Sequence, residues 1–235
     1  MTAAEIIEEL RPLGRDSYKK VILKHGVREP CFGVKIEELK KIQKRIKKDY
    51  QLALDLFDTG NYDAMYLAGL IADDARMTRR DLQRWLAHVN SEPLLGSTVP
   101  WVAAGSPHGW ELALEWIESD ADRAAPAGWA TLSCLVAIKP DAELDLAKLK
   151  QLLVRVGKTI HSQGDCVRYA MNNFVISVGG YVASLTELAL QTAEKIGRVE
   201  VDMGDTACQV PFAPDYIRKI QQRGTIGKKR KTVKC

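Results

Sequence analysis

The residues best suited to metal binding or acid–base catalysis are few in this sequence and lie far apart. The four histidines show no H-x-x-x-H spacing, which is how a helix presents two imidazoles to one metal ion; they are His25, His88, His108 and His161. Asp202, Asp205 and Cys208 lie closer together, but a loop rich in Gly and Asp is the more common reason for such a segment. The sequence also contains no Ser/His/Asp or Cys/His set and no phosphate-binding glycine loop. It therefore predicts neither a metal site nor a cofactor.

Cysteine usage and hydropathy indicate the cellular compartment. The cysteines are odd in number and form no C-x-x-C pair, which favours reduced thiols in the cytosol; they are Cys31, Cys134, Cys166, Cys208 and Cys235. The first ten residues, MTAAEIIEEL, are acidic and amphipathic, unlike a secretory signal. No apolar run reaches the roughly 18 residues that span a membrane. We therefore expect a cytoplasmic protein that is monomeric and not associated with a membrane.

The distribution of charge predicts where a polyanion would be attracted. The chain carries a net charge of +4. Residues 1–50 hold 13 Lys and Arg against 8 Asp and Glu, residues 51–150 hold 8 against 15, and residues 151–235 hold 13 against 7. Two basic ends therefore flank an acidic middle, and a polyanion would bind the ends if the fold brings them to one face. The alternative is that lysines such as Lys40, Lys44 and Lys48 only form a solvated helix face.

Apolar periodicity predicts the elements that must position these charges. From Lys35 to Ile196 the apolar residues recur every three or four positions, which is the helical period. The pattern predicts helices over 3–10, 17–25, 35–49, 49–57, 62–72, 78–89, 96–104, 110–117, 124–137, 146–157, 165–178, 182–196 and 216–223. None is long enough to bury its apolar face alone, so neighbouring helices must stack. Roughly 35–45 residues per helix pair suits HEAT-like units in a solenoid whose concave face is free to bind a long partner.

Four stretches of the sequence together resemble one known family, and the similarity spans about residues 15–190, most of the chain. FGVKIEELKKIQKRIKKD and LALDLFDTGNYDAMYLAGLIAD are similar to the N-terminal half of the AlkD-like HEAT-repeat alkylpurine DNA glycosylases, the DNA alkylation repair family. WELALEWIESDADRAAPAGWATLSCLVA and DCVRYAMNNFVISVGG resemble the C-terminal half. The resemblance implies a curved all-α repeat whose positively charged concave face holds duplex DNA. In the active members it also implies removal of N3- or N7-alkylated purines without flipping the base into a pocket.

The chemistry of that reaction defines which residues such an enzyme needs. An alkylated purine already carries positive charge, so it leaves readily without a strong general acid. A carboxylate beside the sugar stabilises the positive charge that develops on the deoxyribose. Aromatic side chains contact the cationic sugar and base, and an arginine holds the phosphate.

This sequence departs from the family at those positions. The family's aromatic residue and the aspartate four residues after it fall on Glu92 and Gly96, within NSEPLLGSTVP. The phosphate-holding arginine falls on Pro126, and a second aromatic falls on Asn173. A one-residue shift of register would place Phe174 at the last position, although the neighbouring matches argue against it. The resemblance therefore implies that the usual glycosylase residues are missing.

Several residues remain as candidates, each with a structural alternative. Glu92 is the candidate for a substitute catalytic carboxylate; as the alternative, it is an acid that stabilises the positive end of a helix dipole. Lys158 and Arg168 lie near the segment that the resemblance places against DNA, although a solvated surface is the default explanation. Asn172 and Asn173, inside an otherwise apolar helix, either bridge adjacent helices or face a ligand.

The tryptophans and the basic C-terminal run complete the candidate set. We interpret Trp101, Trp110, Trp116 and Trp129 as core residues, with base stacking as the alternative. The run from Lys228 to Lys231 is interpreted as a mobile cationic tail that neutralises phosphates, aids solubility or serves as a nuclear signal. The residues that we expect to contact DNA are Lys35, Lys158, Arg168, Lys228, Lys229, Arg230 and Lys231.

The sequence thus predicts an all-α, HEAT-like superhelix over residues 1–197, followed by a short irregular extension with a basic tail over 198–235. The leading functional expectation is double-stranded DNA binding through a basic concave face without the usual glycosylase residues. One alternative is an active glycosylase that uses substitutes such as Glu92. Another is a protein-binding scaffold, because HEAT stacks hold peptides as readily as nucleic acids.

Overall fold

The computed structural model describes residues 1–121, 123–204 and 206–234, and within these ranges the secondary structure is helical. Its α-helices, in chain order, are α1 Ala3–Leu10, α2 Asp16–Lys24, α3 Ile36–Ile46, α4 Tyr50–Asp58, α5 Tyr62–Ile71, α6 Arg79–His88, α7 Glu92–Gly96, α8 Thr98–Gly105, α9 Gly109–Trp116, α10 Ala124–Ile138, α11 Leu146–Thr159, α12 Asp165–Tyr181, α13 Thr186–Ile196 and α14 Ala213–Gln222. No strand forms in the described residues, where an isolated bridge joins Gly14 to Val34. The predicted all-α class is confirmed.

The chain divides into two compact units. Of the described residues, the first comprises 1–112 with 204, 206 and 234, and the second comprises 113–121, 123–203 and 207–233. Among the described residues no single helix is long and apolar enough to cross a membrane, and the pair Asp165–Tyr181 and Ala183–Ile196 reaches the required length only with a bend of 116° between them.

Helix α5 forms the centre of the first unit, and every residue from Asp63 to Ile71 is buried. Asn61 begins the helix by accepting the backbone N–H groups of Asp63 and Ala64 with its side-chain oxygen. Around α5 the aromatic core is closely packed. Phe57 and Trp85 stack with ring centroids 4.1 Å apart, and Tyr66 meets Trp101 edge to face at 5.5 Å.

A buried carboxylate holds the segment between α2 and α3 in place. Asp63 is fully buried, and its Oδ2 accepts the backbone N–H groups of Phe32 at 2.6 Å and Gly33 at 3.2 Å. Its Oδ1 accepts the N–H of Val34 at 2.8 Å. Burial raises the pKa of the Asp63 carboxyl, and the three N–H donors oppose that rise. Residues 32–34 are therefore fixed on α5 through the backbone, independently of their own side chains.

The second unit is built around α10 and α12. Trp129 of α10 is almost fully buried, and its ring lies 5.1 Å from that of Phe174 on α12. Gly128 permits a close approach to the segment before it, because a Cβ there would lie 2.8 Å from the carbonyl oxygen of Ala113. Gly179 likewise lets Ile217 of α14 pack against α12. Helix α14 therefore packs against the helical repeat, within the region predicted as an irregular extension.

Candidate nucleic-acid interface

Glu92 is the first residue of α7 and its side chain is exposed. Gly26, which adopts a positive φ of 78°, packs against it: a Cβ at Gly26 would lie 3.1 Å from Glu92 Oε2. The preceding Ser91 accepts the backbone N–H of Arg28 at 3.0 Å. Glu92 thus lies against the loop that follows α2. It also occupies the helix-start position where a negative charge is stabilised by the dipole.

Gly96 ends α7 one helical turn after Glu92 and is exposed. No heavy atom lies within 4 Å of the position that a Cβ would take there. A side chain at residue 96 would therefore have room, and it would share the face of α7 that carries Glu92.

The other two positions matched to the family's catalytic residues differ in exposure. Pro126 is buried in the first turn of α10 and has no side-chain donor for a phosphate. Asn173 is half-buried on α12. Phe174, the residue that a shifted register would place at this position, is fully buried against Trp129. Phe174 is therefore a core residue.

Asn172 links α12 to the segment that precedes α14. Its Nδ2 donates to the carbonyl oxygen of Pro211 at 2.9 Å, and its Oδ1 is buried without a partner among the described residues. Asn172 thus bridges to a backbone carbonyl of the segment before α14 rather than to an adjacent helix. Trp101, Trp116 and Trp129 are buried, as expected of core residues, whereas Trp110 is half-buried.

The predicted DNA contacts Lys158 and Arg168 lie where α11 ends and α12 begins. Lys158 is exposed, in the last turn of α11. Arg168 is paired with Asp165 and is only about a quarter exposed. The backbone N–H of Asp202 and the guanidinium of Arg168 hold the pKa of Asp165 below its usual value, so this pair persists at neutral pH.

Two further cations, which sequence reasoning did not single out, lie at the end of α13, which packs against the end of α11 that carries Lys158. The end of α11 touches the end of α13, because a Cβ at Gly157 would lie 3.8 Å from Lys195 Cδ. His161 Nε2 meets the carbonyl oxygen of Ile196 at 2.8 Å, and since a carbonyl can only accept, Nε2 carries the hydrogen. Arg198 follows α13, with its guanidinium 5.3 Å from the ring centroid of Phe212. The only available sequence signal was the basic character of residues 195–198.

The basic C-terminal run is anchored to the second unit, in contrast to the expected mobile tail. Lys229 Nζ donates to the carbonyl oxygen of Val136 at 2.8 Å and lies 2.7 Å from a carboxylate oxygen of Asp141. The backbone N–H of Arg230 donates to the carbonyl oxygen of Ala137 at 2.7 Å. The run thus satisfies carbonyls that the last turn of α10 leaves without partners. Lys228, Arg230 and Lys231 keep exposed side chains.

The predicted DNA contacts in the second unit do not form one cluster. Lys158 and Arg168 lie at the start of α12, whereas Gly227, just before the basic run, donates to the carbonyl oxygen of Gly180 at its end. Arg168 and Gly180 are 12 residues apart on α12, which corresponds to roughly 18 Å along the helix axis. In the first unit, Lys35 immediately precedes α3, with Nζ 3.8 Å from a carboxylate oxygen of Glu37 and a side chain 42% exposed.

The described residues contain no group of three or more His, Cys, Asp or Glu side chains arranged to hold a metal ion. Asp205, one of the residues considered as a ligand, lies outside the described residues. Cys31, Cys134, Cys166 and Cys208 form no disulfide within the described residues. Burial raises the pKa of the Cys31 thiol to about 11, so this thiol is not a reactive nucleophile.

Comparison with known proteins places the fold in a family. Two bacterial relatives, both named only as uncharacterized proteins, align over 228 residues that cover 95% of this chain and 99% of theirs; the Listeria innocua protein is 31% identical and the Listeria monocytogenes protein 32%. A solved structure, titled "A new family of proteins related to the HEAT-like repeat DNA glycosylases with affinity for branched DNA structures", is 34% identical and covers 100% of both chains with a TM-score of 0.92. Residues 6–201 match the family model described as DNA alkylation repair enzyme. The chain therefore belongs to the DNA alkylation repair enzyme family and has its HEAT-like helical fold.

Proposed function

We propose that this protein binds the sugar–phosphate backbone of double-stranded DNA, including branched duplexes, and that it does not excise bases. The observation that carries the proposal is the full-length similarity, at a TM-score of 0.92, to a protein whose title records affinity for branched DNA structures. Membership of the DNA alkylation repair family over residues 6–201 supports the same partner.

The exposed cations support contacts with phosphates. The side chains of Lys158, Lys228, Arg230 and Lys231 are exposed, and none forms an ion pair within the described residues. Contacts of this kind fix the orientation of a duplex without reading its sequence. Because Lys158 belongs to the group at the start of α12 and the other three lie near its end, roughly 18 Å or more away, about one and a half times the width of the major groove, they suit phosphates on different sides of a groove or on different arms of a branched duplex.

The absence of excision follows from the chemistry that the reaction requires. With glycine at residue 96, no carboxylate is present where the family resemblance implies one beside the sugar. Glu92, one turn earlier, lies against Gly26. Pro126, at the position matched to the phosphate-holding arginine, is buried and has no side-chain donor. The contacts that remain serve for binding and orientation.

Binding and its salt dependence test the proposal directly. We expect fluorescence anisotropy to show binding to a labelled four-way junction and to a linear duplex of the same length, with the junction bound at least as tightly. The logarithm of affinity should fall linearly with the logarithm of salt concentration, because each neutralised phosphate releases counterions. Failure to bind either DNA at low ionic strength would overturn the proposal, and capture of a specific protein partner instead would favour the scaffold alternative.

Base release tests the second part of the proposal. Incubated with duplex containing 7-methylguanine or 3-methyladenine, the wild-type protein is expected to release base no faster than the spontaneous rate. The informative variant is Glu92→Gln, and its matched control is Glu37→Gln, which removes another exposed acid from the first turn of a helix. Release well above the spontaneous rate that is abolished in Glu92→Gln, but not in Glu37→Gln, would establish the glycosylase alternative.

A further inference from the structure

We infer that Lys158, Lys195 and Arg198 together form a phosphate-binding surface for DNA, which we call the cationic edge. The inference rests on the proposed function and deepens it by identifying a surface of the second unit that binds the sugar–phosphate backbone of DNA. Lys158 alone was expected from the sequence; the other two residues join it through the packing of α11 against α13.

Direct contacts bring the three residues to one end of this helix pair. Lys195 lies over Gly157, the neighbour of Lys158, since a Cβ at residue 157 would be in ordinary van der Waals contact with Lys195 Cδ at 3.8 Å. The hydrogen bond from His161 Nε2 to the carbonyl oxygen of Ile196 then joins the segment after α11 to the end of α13. Arg198 comes two residues after Ile196, and the ring of Phe212 supports its guanidinium. The edge is therefore held in place by contacts of its own.

The charge balance at this edge leaves the three cations available to a ligand. Lys158, Lys195 and Arg198 are exposed and have no ion pair within the described residues. Two nearby acids are already neutralised, Asp165 by Arg168 and Glu194 by Arg218. Glu200 is exposed two residues after Arg198. Removal of its negative charge should strengthen DNA binding, which is the opposite of the effect expected when a cation is removed.

Cations in the last turn of a helix also have a purely structural use. Lys158 and Lys195 lie at the negative ends of the α11 and α13 dipoles, an arrangement that stabilises each helix. Arg198 lies beyond the end of α13, so the dipole does not account for it. Its planar guanidinium, supported on an aromatic ring, suits a two-pronged contact with phosphate oxygens.

The test is the salt dependence of DNA binding by a triple variant, Lys158→Gln/Lys195→Gln/Arg198→Gln. The control, Lys150→Gln/Lys219→Gln/Arg223→Gln, removes the same charge from exposed positions of the same unit. Each phosphate contact contributes about 0.9 to the slope of log affinity against log salt concentration. After the loss of three contacts, the fall in affinity between about 50 and 200 mM salt should therefore be about 40-fold smaller than in the wild type. We expect this loss in the edge variant, a near wild-type slope in the control, and tighter binding by Glu200→Gln.

The outcomes distinguish this inference from the proposed function. If the wild-type protein binds no DNA at low salt, the proposed function itself is wrong. If the wild-type protein binds and the edge variant keeps both its slope and its affinity, only the cationic edge is refuted. If the triple variant has altered circular dichroism, single Arg198→Gln replaces it, with an expected slope decrease of about 0.9. An unchanged slope in that single variant, accompanied only by a lower melting temperature, would assign the edge a purely structural role.

Discussion

The variant Asp63→Ala is expected to unfold at a much lower urea concentration than the wild type. The substitution leaves the backbone N–H groups of Phe32, Gly33 and Val34 without their acceptor. A buried donor without a partner costs about 1–3 kcal/mol, and solvent that enters the vacated space recovers part of that cost. We therefore expect a loss of about 3 kcal/mol or more in the free energy of unfolding, measured by urea denaturation with far-ultraviolet circular dichroism.

Two further variants define the origin of that loss. Asp63→Asn keeps the size of the side chain and one acceptor oxygen, so its stability should be intermediate. Asp55→Ala removes an exposed aspartate from the same unit and should change stability by no more than about 0.5 kcal/mol. A loss in Asp63→Ala no greater than in Asp55→Ala would contradict the role given to this carboxylate.

Replacement of Trp129 with alanine is the second large effect that we expect. The side chain is 1% exposed, packs against Phe174, and has the Arg155 guanidinium 5.7 Å from its ring centroid. Removing a fully buried tryptophan costs about 3–5 kcal/mol, because the cavity that it leaves closes only in part. Thermal unfolding followed by circular dichroism, which does not depend on tryptophan fluorescence, measures the loss.

The matched control for that substitution is Tyr169→Ala on α12, an aromatic residue that is 37% exposed. Because its ring is partly hydrated in the folded protein, its removal should lower the stability far less than removal of Trp129. Equal losses in the two variants would show that α10 and α12 are not held together by the Trp129 contact.

Sequence reasoning predicted the helices well because their stability depends on a local pattern. The apolar period specifies α5, α10 and α12 to within a few residues of their observed ends. The short helix Glu92–Gly96 escaped prediction because five residues do not contain two turns of an apolar repeat. One signal for the buried carboxylate was present, since Asp63 is the only charged residue in the apolar helix YDAMYLAGLI.

The candidate interface was less predictable, because it depends on contacts between segments that are distant in the sequence. Lys195 lies beside Gly157, the neighbour of Lys158, only through the packing of α13 on α11, and nothing local to either segment encodes that neighbour. Asp63 and Val34 are separated by 29 positions, so a local pattern could indicate a buried acid but not its partners. The run at the C-terminus was interpreted from composition alone, which does not reveal that carbonyls of α10 accept hydrogen bonds from it.

The anchoring of the C-terminal run to α10 also limits its use as a targeting signal. Transport receptors that recognise short basic signals bind them as extended peptides in which several side chains are accessible at the same time. Here Lys229 is committed to Asp141 and to a carbonyl of α10, and the backbone of Arg230 is hydrogen-bonded beside it. A receptor of that kind could bind the run only after the contacts between the run and α10 had broken.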